Sequence, residues 1–303
     1  MSSPLPFSFQ PSVVTLGNFD GVHLGHQALL HRVVALSHEN KLQSLALFFY
    51  PHPLTVISNQ LVPELTSKEY RQDLIEALGI ERCHVVEFTP DLSLKTALEF
   101  LRHLKEYFNA RMLVIGPTTH LGYQREGTPK KLQALGKLID LEVIIVPETY
   151  LEGKSVSSSR IRTLLEQGDV GGVERLLGRS YVTFGKIISS RGLGTELGFP
   201  TLNLDAVATL LPKVGVYLSR SIFSGTTYWG LTNVGYRPTL PSADPLKVHV
   251  ETHLLNYGGQ VLAHDTSIAW VRRIRDEQKF SSRDELVSQI KQDITLAQQL
   301  ILK

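Results

Sequence analysis

Two histidines three residues apart stand in a glycine-rich stretch, GNFDGVHLGHQALL, at residues 17–30. An apolar run, Val13-Val14-Thr15-Leu16, precedes it, and a helical pattern follows. A glycine-rich turn between a strand and a helix offers backbone N–H groups and a helix N-terminus to a phosphate. The spacing is not G-x-G-x-x-G, and no phosphate-loop lysine follows; the turn ends in His23-Leu24-Gly25-His26. Side chains at i and i+3 on a first helical turn share a face. Both imidazoles can then point at one anion and stabilise charge growing on a phosphorus. Two plainer readings compete. A histidine beside a helix start is often a cap or a surface residue. A histidine pair at this spacing also suits a metal, although no third ligand stands nearby in sequence. Gly17, Asp20, Gly21 and Gly25 around the pair, directly after the first strand, favour the anion site.

A second constellation lies in GFPTLN at 198–203. Thr201 and Asn203 are two apart on an expected strand, so their side chains leave one face. A hydroxyl and an amide oxygen on one face suit Mg²⁺, which takes oxygen ligands and keeps waters and phosphate oxygens as the rest. The plain alternative is an ordinary strand entry after Pro200.

Elements must position these groups. Short β-branched or aromatic runs occur at 12–17, 44–50, 84–88, 111–116 and 142–147. Helical patterns lie between them, at about 24–39, 67–79, 93–108 and 128–140. Such alternation predicts right-handed crossovers and a doubly wound parallel sheet, and the continuous apolar strands suit a sheet covered on both faces. From residue 158 the pattern changes to two short helices joined by a Gly-Asp turn. Beyond Gly178, short apolar runs separated by Gly, Pro and Asn predict an antiparallel barrel or sandwich. The stretch 281–302 closes as one amphipathic helix, with Ser281 or Ser282 as N-cap and Glu285 near the third position. Arg272, Arg273 and Arg275 read as a solvated charged face.

The 303 residues suffice for two domains. A hydrophobic share of 42%, a charged share of 20% and a net charge of +2 describe a globular protein and argue against nucleic acid as the partner. The single cysteine, Cys83, cannot form an internal disulfide, which suits a reducing compartment. The opening MSSPLPFSFQ lacks a basic segment followed by an apolar core, and no apolar run is long enough to span a bilayer. A cytoplasmic protein with no membrane partner is expected; a homo-oligomer is left open.

GNFDGVHLGHQALL resembles the signature of the HxGH nucleotidylyltransferases. More narrowly, it resembles the N-terminal domain of the bacterial bifunctional riboflavin kinase/FAD synthetases. FFYPHPLTV at 48–56, SVSSSRIRTLL at 155–165 and LLGRSYVTFGKI at 176–187 are similar to further segments of that family. GLGTELGFPTLNL at 192–204, NVGYRPTL at 233–240 and VETHLL at 250–255 resemble its kinase module. The motifs occur in the family's order over essentially the whole chain.

The resemblance implies a Rossmann-like adenylyltransferase domain over 1–180 and a six-stranded antiparallel barrel kinase with a terminal helix over 181–303. Riboflavin would be phosphorylated by ATP to FMN. FMN would then be adenylylated by a second ATP to FAD, with release of pyrophosphate. His23 and His26 would hold the α-phosphate. Gly17, Asn18, Phe19, Asp20 and Gly25 would approach the nucleotide. Ser157, Ser158, Ser159 and Arg162 would hold the outer phosphates, although the serines could simply cap their helix. Gly192 and Gly194 would form a phosphate flap, Thr201 and Asn203 would bind Mg²⁺, and Glu251 would act as base toward the riboflavin hydroxyl. Asn233, Arg237 and Pro238 would support the pocket. His52 would line the first site or only form a turn. Two segments depart from the family pattern: IGPTTHLGYQREG at 115–127, with Thr118 where an amide is usual, and YGGQVLA at 257–263. The first motivates an alternative, a riboflavin kinase whose N-terminal domain is weak or inactive in adenylyl transfer.

Overall fold

The computed structural model describes residues 9–188, 199–205, 207–223, 226–236, 248–257 and 265–302. The chain divides into two compact units, Met1–Pro63 with Ser67–Ser157, and Glu64–Thr66 with Ser158–Lys303.

The first unit runs β1 (Ser12–Gly17), α1 (Leu24–Asn40), β2 (Gln43–Tyr50), α2 (Pro53–Ser58), α3 (Lys68–Ala77), β3 (Arg82–Glu87), α4 (Pro90–Ser93), α5 (Ala97–Tyr107), β4 (Ala110–Ile115), α6 (Pro129–Leu138), β5 (Glu142–Ile145) and a hairpin of β6 (Tyr150–Leu151) and β7 (Lys154–Ser155). The five longer strands form one sheet in the order β3-β2-β1-β4-β5, and every pairing is parallel. Strand alternation divides the apolar side chains between two cores. Val14, Leu16, Leu45 and Leu113 pack with Phe100, Leu101 and Leu104 of α5. Val13, Ala46, Phe48 and Val114 pack with Leu30, Val33 and Leu36 of α1. Both faces are therefore covered, which explains why the strands read as unbroken apolar runs.

The strand order reverses between β1 and β4. Open α/β sheets leave a crevice at the carboxyl ends of such strands. The His23–His26 turn follows β1 and the 116–127 segment follows β4, so the sheet carries both to that end. Helix starts are locally encoded. Thr96 and Glu99 close a capping box on α5, and Thr128 caps α6, which opens with Pro129.

The second unit begins with α7 (Ser158–Gln167) and α8 (Val170–Leu177). Asp169 caps α8 by accepting from Gly172 N–H at 2.8 Å, and Gly178 ends it in the left-handed conformation, φ 68°. Strands β8 (Tyr181–Ile188), β9 (Thr201–Asp205), β10 (Gly215–Phe223), β11 (Thr226–Tyr236), β12 (Val248–Leu254) and β13 (Asp265–Arg275) follow, then α9 (Arg283–Ile301). The strands close a barrel in the order β10-β11-β12-β9-β8-β13, with antiparallel pairing throughout. Ser282 is the α9 cap, accepting from Glu285 N–H at 3.2 Å, while the Glu285 carboxylate accepts from Ser281 N–H at 3.0 Å.

The expected solvated face holds for Arg272, which is exposed, and needs correction for Arg273 and Arg275. Arg273 donates to Tyr217 Oη, Val214 O and Asp276 Oδ1. Arg275 makes a bidentate pair with Asp293 of α9, its Nε and Nη2 both 2.9 Å from Oδ2. Barrel pairing turns these side chains toward neighbouring polar groups, which a run of charge in the sequence does not reveal.

A buried chain of hydroxyls crosses three barrel strands. Ser219 Oγ lies 2.7 Å from Thr232 Oγ1, which lies 2.8 Å from Thr252 Oγ1. Thr232→Val keeps the shape and leaves its neighbours without their shared partner, a loss of about 1–3 kcal/mol. Both tryptophans, Trp229 and Trp270, lie on barrel strands, so tryptophan fluorescence during urea unfolding reads this unit. A lower midpoint at unchanged slope is expected; an unchanged midpoint contradicts the assignment.

Candidate functional site

The first candidate site is built on the turn after β1. Phe19 and Val22 take positive φ, 47° and 40°, and Gly21 lies between them at 82°. Such conformations are costly for non-glycine residues and persist where the surroundings impose them. The turn leads into α1, whose N-cap is His23. Its Nδ1 accepts the His26 backbone N–H at 3.2 Å. An accepting Nδ1 leaves Nε2 as the protonated nitrogen, so a neutral His23 presents an N–H donor. The two imidazole rings stack, with centroids 3.6 Å apart and planes 15° from parallel. A side chain at Gly25 would meet the His23 ring at 3.2 Å, so glycine there gives the ring its place.

His26 lies under Phe19, whose ring stands edge-on at 5.2 Å. Its Nδ1 is buried without a hydrogen-bond partner among the described residues. Burial, then the neighbouring His23 and then Arg71, hold the imidazole well below its ordinary pKa. At neutral pH it is an uncharged ring. Beneath the turn, Asp20 Oδ1 pairs with Arg71 Nη2 at 3.1 Å, and Arg71 Nη1 donates to Asn18 O at 3.0 Å. The side-chain amide of Asn18 lies 2.9 Å from His52 Nε2. His52 in turn caps α2 through Nδ1, accepting from Leu54 N–H at 3.2 Å. The turn thus brings Gly17, Asn18, Phe19, Asp20, His23, Gly25 and His26 together. Asp20 turns its carboxylate inward onto Arg71.

Thr118 is exposed on the segment that follows β4, and its carbonyl lies 2.8 Å from His120 Nδ1. An isolated bridge between Leu121 and Gly127 closes that segment. The Val156 carbonyl lies 3.5 Å from where a Gly25 Cβ would stand, which brings the residue before Ser157 alongside α1. Ser158, Ser159 and Arg162 stand in the first turns of α7, in the second unit. Burial, then Glu76, push the Cys83 thiol up to about 12, so it is no nucleophile at neutral pH.

The second candidate site is built by register. Glu251 of β12 pairs with Asn203 of β9 on one side and Asn233 of β11 on the other. Thr201 pairs with His253 two positions along. Cross-strand partners share a face, so all five residues leave the barrel on the side opposite Thr252. Thr201, Glu251 and Asn233 line a cavity of about 280 Å³. Phe199, Phe280, and Leu286 and Ile290 of α9 give it apolar walls, and Glu277 gives it a second carboxylate. Asn203 is buried beside Glu251 at 3% exposure. The hydroxyl, amide and carboxylate oxygens here suit a hard divalent cation. Gly192, Gly194, Arg237, Pro238 and 258–263 lie outside the described residues.

The sequence reading missed Arg71, which stands on α3 far from the turn it contacts. It also missed the α9 wall of the cavity, although the Asp293 and Arg275 charges on two adjacent elements were a usable signal.

A turn with two stacked imidazoles in one unit and a barrel with a carboxylate-lined cavity in the other give the chain two distinct candidate sites. Residues 6–160 match the FAD synthetase family and residues 177–301 the riboflavin kinase family. A bifunctional riboflavin kinase/FMN adenylyltransferase from Pseudomonas fluorescens is 32% identical over 95% of this chain and 92% of its own. One of the same name from Listeria monocytogenes is 32% identical over 93% and 90%. A crystal structure described as a macrolide-efflux protein from Streptococcus pneumoniae superimposes with a TM-score of 0.88 at 27% identity, covering 96% of this chain and 95% of that one. Among the described residues, no helix is long and apolar enough to cross a membrane. The chain belongs to the bifunctional riboflavin kinase/FMN adenylyltransferase family.

Burial also holds His84 and His103 below their ordinary pKa. With His26, three imidazoles of the first unit are neutral when folded and titrate near 6.5 when unfolded. Their contribution is complete above pH 6.5 and is lost as pH falls through the folded-state values below it. The protection of β1 and β4 amides, corrected for the intrinsic exchange rate at each pH, is expected to fall progressively below pH 6.5. Exchange protection that is flat from pH 7.5 to 5 contradicts this.

Proposed function

We propose that the two activities divide between two functional domains, 1–180 and 181–303, with adenylyl transfer at the His23–His26 turn and riboflavin phosphorylation at the Glu251 cavity. The chain is a riboflavin kinase and FMN adenylyltransferase. What supports the division is that each family match falls on a unit with its own chemically distinct cluster: imidazoles in one, oxygen donors in the other.

The two chemistries have different needs. A primary alcohol is a weak nucleophile. Glu251 accepts the proton of the riboflavin hydroxyl as its oxygen bonds to the γ-phosphorus of ATP and ADP leaves. Thr201 and Asn203 would hold Mg²⁺, which when bound spreads the phosphoryl charge. The apolar walls of the cavity suit a flat aromatic ring, and Asn233 flanks the base. Gly192 and Gly194 are assigned to the phosphates of this ATP.

FMN brings a nucleophile that is already anionic, so the first unit needs no base. A phosphate oxygen of FMN bonds to the α-phosphorus of ATP, and pyrophosphate leaves. His23, through Nε2–H, and neutral His26 donate N–H groups to the α-phosphate, and the α1 N-terminus adds its dipole. Gly17, Asn18, Phe19 and Gly25 shape the approach of the nucleotide, with Asp20 bracing the turn from below. Ser157, Ser158, Ser159 and Arg162 are assigned to the departing phosphates. The single, unreactive thiol suits a cytoplasmic protein.

A chromatographic time course with ATP and Mg²⁺, started from riboflavin and separately from FMN, tests the division. Glu251→Gln is expected to lower FMN formation at least about 100-fold while FAD formation from supplied FMN stays within about twofold. His26→Ala is expected to do the reverse. Equal loss of both activities in either variant overturns the division. An unaltered chain that makes FMN and no FAD leaves the alternative, a kinase carrying an inactive nucleotide domain.

A further inference from the structure

Arg71 is a cation in the interior of the first unit, 2% exposed, with its guanidinium 5.4 Å from the centre of the Phe48 ring. A buried guanidinium is costly unless its donors are matched. Two of them go to the ends of one three-residue segment, Asn18 O at 3.0 Å and Asp20 Oδ1 at 3.1 Å. Between those anchors stands Phe19, held at positive φ, with its ring edge against His26. A fork spanning two acceptors fixes orientation as well as distance, which an ammonium cannot do.

We infer that Arg71 is a positioning residue for adenylyl transfer, holding the Asn18–Asp20 turn in the geometry that presents His23 and His26 to the nucleotide. This rests on the reading that the His23–His26 turn carries that reaction. Arg71 acts through Phe19 and the backbone of the turn. Its charge also acts on His26. The other titratable group acting on that ring is His23, stacked on it; Asp20 is paired with Arg71. The strands packed against α1 present apolar side chains to it, among them Val13, Ala46, Phe48 and Val114. Loss of the Arg71 charge therefore moves the His26 titration upward in pH.

The test uses the full chain with Arg71→Met and Arg71→Lys. In Arg71→Met, kcat for FAD formation from FMN is expected to fall about 100-fold, the scale of a small misplacement of reacting groups. KM for ATP is expected to stay within about threefold, and riboflavin phosphorylation, in the other unit, within about twofold. The His26 ring-proton titration, followed by NMR without substrate, is expected to move to higher pH in Arg71→Met and to stay in place in Arg71→Lys. Arg71→Lys keeps the charge without the fork and is expected to regain no more than about a tenth of kcat. Near-parental kcat in a folded Arg71→Met or Arg71→Lys protein overturns the inference. Should Arg71→Met lose the amide spectrum of the first unit, kcat of Arg71→Lys decides by the same criterion. If the unaltered chain makes no FAD from FMN, the reading of the site fails instead, and the substrate-free titration decides whether Arg71 governs the histidine pair.

Discussion

A helix that starts on an imidazole sets the terms for the first unit. Every α-helix begins with backbone N–H groups that lack partners within the helix, and a short polar side chain usually caps them. In α1 the cap is His23 Nδ1. That hydrogen bond selects the tautomer with the proton on Nε2, and the ring stacks against His26. Stacked so closely, the two rings resist charging together. The result is a stacked pair of imidazoles at a helix N-terminus, His26 held neutral by its burial. Gly25 has no side chain because the ring fills that space. The irregular turn before the helix is held from below by a buried ion pair.

The barrel answers the opposite problem. On our proposal the nucleophile there arrives with a proton to lose, and the cavity offers the Glu251 carboxylate. Strand parity decides where it points. Thr252 joins the interior hydroxyls, so Glu251 and His253 emerge on the other side. Register then aligns Glu251 with Asn203 and Asn233 across three strands. The far wall comes from α9, locked to β13 by Arg275 and Asp293. Breaking one partner of such a pair would strand a buried charge, a cost of about 3–5 kcal/mol, so the cavity wall is firmly attached.

Much of this was legible in the residues. Period-two and period-3.6 patterns located β1, β2, β4, α1 and α9 within a few residues, because long apolar faces leave strong periodic signals. The spacing of His23 and His26 already implied a shared face. Four things were hidden. The tautomer of His23 depends on a hydrogen bond that no pattern encodes. Arg71 acts across the fold, and its helix carries no mark of that role. The short helices α2 and α4 have too few turns for a periodic signal. In the barrel, alternation placed Thr201 and Asn203 on one face, but the alignment of Glu251 between two asparagines depends on strand register, which turn geometry sets.

Closure of the barrel has a further consequence. A closed sheet has no free edge, so its strands offer no template on which another chain can extend pairing. The parallel sheet is open and ends in β3 and β5. Those edges are short, at six and four residues, and carry Arg82, Glu87 and Glu142 at their ends. Short, charged borders of this kind discourage edge-to-edge association. Among the described residues, the open strand edges are thereby confined to the first unit, where two small edges guard the sheet that carries the histidine turn.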